Sequence, residues 1–429
     1  MRRVCLNIAL AICAAGIVCV QSRAQGPKVA RQKPGGLEGQ VVTSKGAPVP
    51  GAQILWQVAD GETPHVLHSD AHGQFHIEQL HTGVYDLRAS ANGTWSEWEH
   101  NVLVRPGSNT NVTLRLAFKP APPAVGLELK GTMRVWDAPV SGSVPRDSAT
   151  DASGNAWFTL QESGHIARFS PSTGEWKLFK IPTADSGPYG LVFDAQGDIW
   201  FTENSAGKIG HLDPKNGTIS EFTPPTSNDP HSVAMGADGG IWFTSQNSNT
   251  IGRLDPFTGK IAEFGVPTQD AHPYGIVLAG DQALWFCELS GGKLGRMDPA
   301  TGTMMEFTPA DSDVKPRELV AVGGAIYFTD FGGGRLGRIT LADKTFKFWD
   351  SPSGIHSAPD GIAADTAGKI WYEESGRNAN QLVRFDPTVQ VFRTYPMPAA
   401  NSQATGMARD SKGRVWLPLS GANKVAILE

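Results

Sequence analysis

Three features of the 429-residue sequence predict an all-β fold in two parts, a small sandwich followed by a closed ring of repeats. First, Trp157, Trp200, Trp242, Trp285, Tyr327, Trp371 and Trp416 recur every 42–45 residues, the period of β-propeller blades. Second, each interval holds four short alternating runs bounded by turn formers, as four-stranded blades require. Third, the last repeat has only three such runs, while an unpaired one, Thr132-Met-Arg-Val-Trp136, stands before the first complete repeat. These features predict a seven-bladed β-propeller whose N-terminal strand completes the last blade. That closure removes the exposed edges that invite aggregation.

Residues 1–24 read as a secretory signal. Arg2 and Arg3 form a positive start, Ile8–Val20 is uncharged and apolar, and Ser22-Arg23-Ala24 supplies small residues for cleavage. The apolar run is too short to span a bilayer. The expectation is an exported protein, periplasmic or secreted, with no membrane span. Removing the signal leaves 34 basic against 42 acidic residues, a net −8, which argues against nucleic acid or anionic lipid as a partner. Cys5, Cys13 and Cys19 leave with the signal, so Cys287 stands alone and no intrachain disulfide forms. A chain of this length buries enough apolar surface without covalent staples.

Residues 36–118 carry glycine- and proline-fixed turns between short β-branched and aromatic runs, predicting a sandwich of about seven strands. Gly46-Ala-Pro48-Val-Pro50-Gly51, Asp70-Ala-His-Gly73 and Leu80-His-Thr-Gly83-Val-Tyr85 mark the turns. The proline-rich stretch 119–130 is an extended linker, and the propeller occupies 131–429. In one repeat the four strands are Pro188–Phe193, Asp198–Thr202, Lys208–Leu212 and Thr218–Phe222. The repeated tryptophans are read as packing between blades, Cys287 as a buried filler, and the Asp-Pro turns at Asp213, Asp255, Asp298 and Asp386 as turn chemistry.

The first two strands of a blade form a hairpin, so residues equidistant from its turn oppose one another. That reasoning sets the residue after the inner-strand proline against the residue after Trp-Phe-Thr, both at one mouth of the channel. The first position reads Arg146, Tyr189, His231, Tyr274, Arg317, Asp360 and Thr405 around the ring. The second reads Leu160, Glu203, Ser245, Glu288, Asp330, Glu374 and Leu419. Five carboxylates then meet two arginines. Converging acids raise one another's pKa or recruit an oxygen-loving cation, Mg²⁺ or alternatively Ca²⁺. The expected metal ligands are Glu203, Glu288, Asp330 and Glu374. His231, which titrates near neutrality, is the candidate base, in a catalytic set with Tyr274 and Glu288. Arg146, Tyr189, Arg317 and Asp360 are the expected substrate contacts. The alternative is a polar channel without chemistry, its acids neutralised by Arg146 and Arg317.

The motifs PYGL at 188–191, WFTE at 200–203, KIGH at 208–211, PYGI at 273–276, WFCE at 285–288 and KLGR at 293–296 resemble the virginiamycin B (streptogramin B) lyase family. Residues 36–118 resemble the carboxypeptidase regulatory-like family, a prealbumin-type (Ig-like) sandwich, which implies an accessory module sometimes linked to carbohydrate. The lyase resemblance implies a seven-bladed propeller that opens cyclic depsipeptides by elimination, with a histidine base and a divalent ion, usually Mg²⁺, stabilising the enolate-like charge. Its histidine and glutamate belong to one repeat. Here His231 shares its repeat with Ser245, while Glu203, Glu288 and Glu374 share theirs with Tyr189, Tyr274 and Asp360. The readings left open are a metal-dependent lyase acting on an ester or lactone, a non-catalytic binding protein for a small molecule, cyclic peptide or carbohydrate, and a lactone-hydrolysing propeller of the gluconolactonase type.

Overall fold

The computed structural model of the chain describes residues 33–58, 65–91, 94–96, 99–118, 132–311, 313–376 and 379–428. The expected signal at 1–24 and the whole of the linker at 119–130 lie outside the described residues. No helix among them is long and apolar enough to cross a membrane.

Eight strands between Gly35 and Phe118 form one continuous sheet, one more than the sequence predicts. The additional strand, Thr94–Ser96, is too short for a period-two pattern to register. Gly35–Thr43 runs antiparallel to Gln74–Leu80 and parallel to Asn109–Phe118. Alternation decides which side chains go inward. In Gln74–Leu80, Phe75 and Ile77 are buried between exposed neighbours. The left-handed backbone of Gln79 then breaks the alternation and turns Leu80 inward as well. These residues join Leu37, Val41, Ile54, Leu87 and Leu114 in one core.

Seven four-stranded sheets follow among the described residues, and their inner strands touch one another in sequence around a common axis. Two local rules explain the repeat. At five of the seven inner turns an aspartate accepts a backbone amide and also holds the tryptophan of the next strand. Asp194 takes the amides of Gln196 and Asp198 at 2.9 Å and Trp200 Nε1 at 3.0 Å. Asp151, Asp238, Asp281 and Asp365 repeat the tryptophan bond. The Ile-Gly step of the third strand has a steric cause. A Cβ at Gly210 would stand 2.1 Å from the Phe201 ring opposite, and one at Gly295 would stand 2.0 Å from Phe286, so nothing larger than glycine fits against these rings.

The ring closes as the sequence predicts. Met133–Asp137 pairs antiparallel with Lys424–Leu428, and Trp136 packs its ring 4.9 Å from Phe169 and 5.9 Å from Trp416. Cys287 is free and fully buried in the core of the fourth blade.

Candidate functional site

The inner strands do not pair as equidistance from the turn implies. Pro188, not Tyr189, stands opposite Glu203, and the register shifts before Leu191 meets Phe201. The same shift follows Pro145, Pro230, Pro273, Pro316 and Pro359. Each is a β-bulge, one extra residue that re-aims a side chain. The bulge holds the residue after the proline, so the first predicted ring belongs to the channel while the second belongs elsewhere.

Three neighbouring members of the first ring form a stack. The His231 ring lies 3.8 Å from Tyr189 and 4.1 Å from Tyr274, centroid to centroid. The two tyrosine hydroxyls meet at 2.9 Å. The guanidinium of Arg146 sits 5.4 Å from the Tyr189 ring, and that of Arg317 sits 5.0 Å from Tyr274. Arg317 Nη2 also donates to the Tyr274 hydroxyl at 3.1 Å, and its Nε is ion-paired with Asp360 at 3.2 Å. Arg146 Nε donates to Gln161 at 2.6 Å. Burial opposes the charge on Arg317, yet Asp360, Tyr274, Tyr189 and Asp86 hold its pKa well above the ordinary value. His231 is fully buried, its Nδ1 3.1 Å from Ser232 Oγ. Thr405, the last member, donates to the Arg146 carbonyl.

One residue deeper, the inner strands carry a tier that the sequence reading missed. It consists of Asp147, Gly190, Ser232, Gly275, Glu318, Gly361 and Gly406. Glycines make room for the two acids: a Cβ at Gly275 would stand 2.7 Å from Glu318 Oε2, and one at Gly406 would stand 2.1 Å from Asp147 Oδ1. Asp147 and Glu318 help line a cavity of about 130 Å³ beneath Arg146, Tyr189 and Thr405. Burial lifts Asp147 to about 6 against the amides of Leu191 and Ser148. Burial, with Asp360 and Asp147 nearby, lifts Glu318 well above the carboxylate range. Glu373, in the place of the repeat threonine, is likewise buried and raised, with Asp360 beside it. The signal available was the acid in a column otherwise filled by glycine and serine.

The second predicted ring does not converge. Side chains of a blade's second strand stand perpendicular to the sheet and point at neighbouring blades, so only the first strand faces the channel. Glu203 lies beside Lys208 and Glu221 of its own blade. Burial and the Glu221 carboxylate raise it to about 8, partly offset by Lys208. Glu288 repeats this beside Glu306 and Lys293, at about 7. Asp330 accepts from Arg335 at 2.8 Å and from the amides of Lys315 and Gly333. Glu374 accepts from Gln381 at 2.6 Å and from Ser353. Asp330 and Glu374 are thus committed to their own blades and the loops leading into them, whereas the carboxylate oxygens of Glu203 and Glu288 are buried beside own-blade charges without a hydrogen-bond partner among the described residues. Mg²⁺ or Ca²⁺ requires several oxygens around one point, and Glu203, Glu288, Asp330 and Glu374 do not fit a shared cation. Among the described residues, the one set of three candidate donors within 4.8 Å of one another is Asp194, Asp198 and His211, at the opposite end of a hairpin from the mouth.

Residues 123–372 match the model of the virginiamycin B lyase family. The chain belongs to this family. Residues 36–117 match the carboxypeptidase regulatory-like domain. A solved streptogramin B lyase is 30% identical with a TM-score of 0.65, over 70% of this chain and 97% of that one. Virginiamycin B lyase from Staphylococcus aureus is 27% identical with a TM-score of 0.64, over 70% and 99%. A catalytically inactive variant of the S. aureus enzyme, solved with quinupristin, is 26% identical with the same TM-score and coverage. The comparison with curated proteins gave no match. This chain carries a histidine at the bulge of its third blade, with a tyrosine ring on either side and an arginine over each tyrosine.

Proposed function

We propose that this virginiamycin B lyase-family propeller binds a small amphipathic ligand at its mouth without opening it. One observation carries the reading. His231 is buried between Tyr189 and Tyr274, while the glutamates at the family's second motif position, Glu203 and Glu288, face their own blades. Elimination needs a base and a charge-stabilising group presented to one substrate, and this arrangement separates them. Stacked phenol and imidazole rings flanked by guanidiniums instead suit a ligand with flat apolar faces and carbonyl or carboxylate groups, such as a cyclic peptide or lactone. The signal-like residues 1–24 support an exported protein, and the sandwich supports an accessory role toward carbohydrate or another envelope component.

Incubation with quinupristin and Mg²⁺, with and without chelator, tests this. The expected outcome is intact quinupristin by mass spectrometry, together with saturable binding in calorimetry that Arg317→Ala weakens. A linearised product that disappears with chelator and in His231→Ala would replace this reading with the lyase. Family membership and the histidine at the bulge favour that second reading.

A further inference from the structure

The sandwich does not stand clear of the propeller. Arg105 Nη2 meets Asp270 Oδ2 at 2.7 Å, on the segment that runs through buried His272 into Tyr274. A Cβ at Gly83 would stand 3.8 Å from Asn247 Oδ1, in the outer turn of the third blade. Glu99 shares with Asp311, Lys315, Arg335 and Ile355 the walls of a cavity of about 690 Å³. Asp86, only 1% exposed, acts on Arg317. Every propeller residue named here except Tyr274 and Arg317, which lie in inner strands, sits in a loop entering an inner strand, or in or beside a turn between second and third strands. These are the features that form the mouth. The sandwich thus covers the sector of rim above His231, Tyr274 and Arg317.

The seam is polar. Among the described residues the sandwich core draws only on residues 37–116, and no hydrophobic cluster combines side chains of the two domains. The Arg105–Asp270 pair is itself 63% and 39% exposed. Two separately cored domains that meet through charge, solvated at Arg105–Asp270 and buried at Asp86–Arg317, lack the shared apolar core that would weld them.

We propose that the sandwich is a displaceable lid on the propeller mouth, seated by the Arg105–Asp270 pair, and that the ligand reaches the Tyr189–His231–Tyr274 stack only when the lid lifts. The proposal rests on the mouth as the binding site, but its test needs no ligand. Full-length protein is treated with diethylpyrocarbonate, and modification of His231 is followed by peptide mass spectrometry with the exposed histidines as internal references. Backbone hydrogen exchange is measured across Pro230–Met235 and Pro273–Leu278.

In wild type, His231 reacts far more slowly than the reference histidines, and raising salt to about 1 M speeds it by screening the seat. In Arg105→Glu, which sets like charges together, His231 reacts about five-fold faster at low salt, the factor expected of one exposed pair. Added salt now slows the reaction, because it screens repulsion rather than attraction. Unchanged labelling and exchange in Arg105→Glu would make the sandwich a fixed part of the wall and overturn the lid. So would a wild-type rate equal to that of the references, or one indifferent to salt. The wild-type salt series decides the matter even where the variant does not fold. A lid that moves over a mouth with no affinity for quinupristin would leave this inference standing and remove the binding reading alone.

Discussion

Replacing Glu203 by glutamine separates a protonated structural carboxyl from a metal ligand. The side chain is excluded from solvent, with Glu221 and Lys208 beside it. Its pKa rises from the ordinary 4.5 to about 8, first through burial and then through the Glu221 carboxylate. The folded state therefore binds a proton that the unfolded chain has released above about pH 4.5. Stability from this group is complete below 4.5, falls as pH rises from there to about 8, and levels off beyond. At about 1.36 kcal/mol per pH unit the full span amounts to roughly 5 kcal/mol. Water reaching half-buried Lys208 and Glu221 screens the site and reduces this to about 2 kcal/mol. Glutamine keeps the shape and cannot ionise. Urea unfolding at pH 5, 7 and 9 is expected to give near-equal stability for wild type and Glu203→Gln at pH 5. By pH 9 the variant is ahead by about 2 kcal/mol, and Mg²⁺ raises neither midpoint. A variant less stable than wild type at pH 9, or a wild type stabilised by Mg²⁺ where the variant is not, would refute the reasoning.

Thr202 Oγ1 accepts from the Gly190 amide at 2.9 Å and donates to the His231 carbonyl at 2.5 Å, tying the second blade to the third. Thr202→Val leaves both backbone groups buried and unpaired, and urea unfolding is expected to show a loss of about 1–3 kcal/mol. Trp136→Ala removes the aromatic contacts that hold the closing strand against Phe169 and Trp416. A lower midpoint by about 2–3 kcal/mol is expected in the same assay, with concentration-dependent light scattering from the loosened edge.

The blades were legible because their period is set by chemistry that sequence displays: in most repeats an aspartate stands four or six residues before the tryptophan, with a glycine in the turn. The closing strand was legible for a related reason, since a three-stranded repeat at one end leaves a vacancy of known type. The site was legible only in part. Counting back from the Gln196-Gly197 turn assumes equal register on both strands, and the extra residue at Tyr189–Gly190 breaks that assumption while leaving no mark in composition. Tyr189, His231 and Tyr274 therefore share a ring that the motif position alone indicates, while Glu203, Glu288, Asp330 and Glu374 stand one register step away from it. Asp147 and Glu318 interrupt a column of glycine and serine one residue further along. The seat of the sandwich was beyond reach, because Arg105 and Asp270 are 165 residues apart and nothing local to either announces the other.

The pairing of Met133–Asp137 with Lys424–Leu428 has a consequence for biosynthesis. The first propeller strand to leave the ribosome waits for the last, across 287 residues from Asp137 to Lys424. At roughly 5–20 residues per second that wait lasts roughly 15–60 s. During this interval no nascent ring can complete itself, whatever its earlier blades have achieved. Circularisation is therefore decided by the strand Lys424–Leu428 alone, and the six blades made before it must persist as an open arc until it is available.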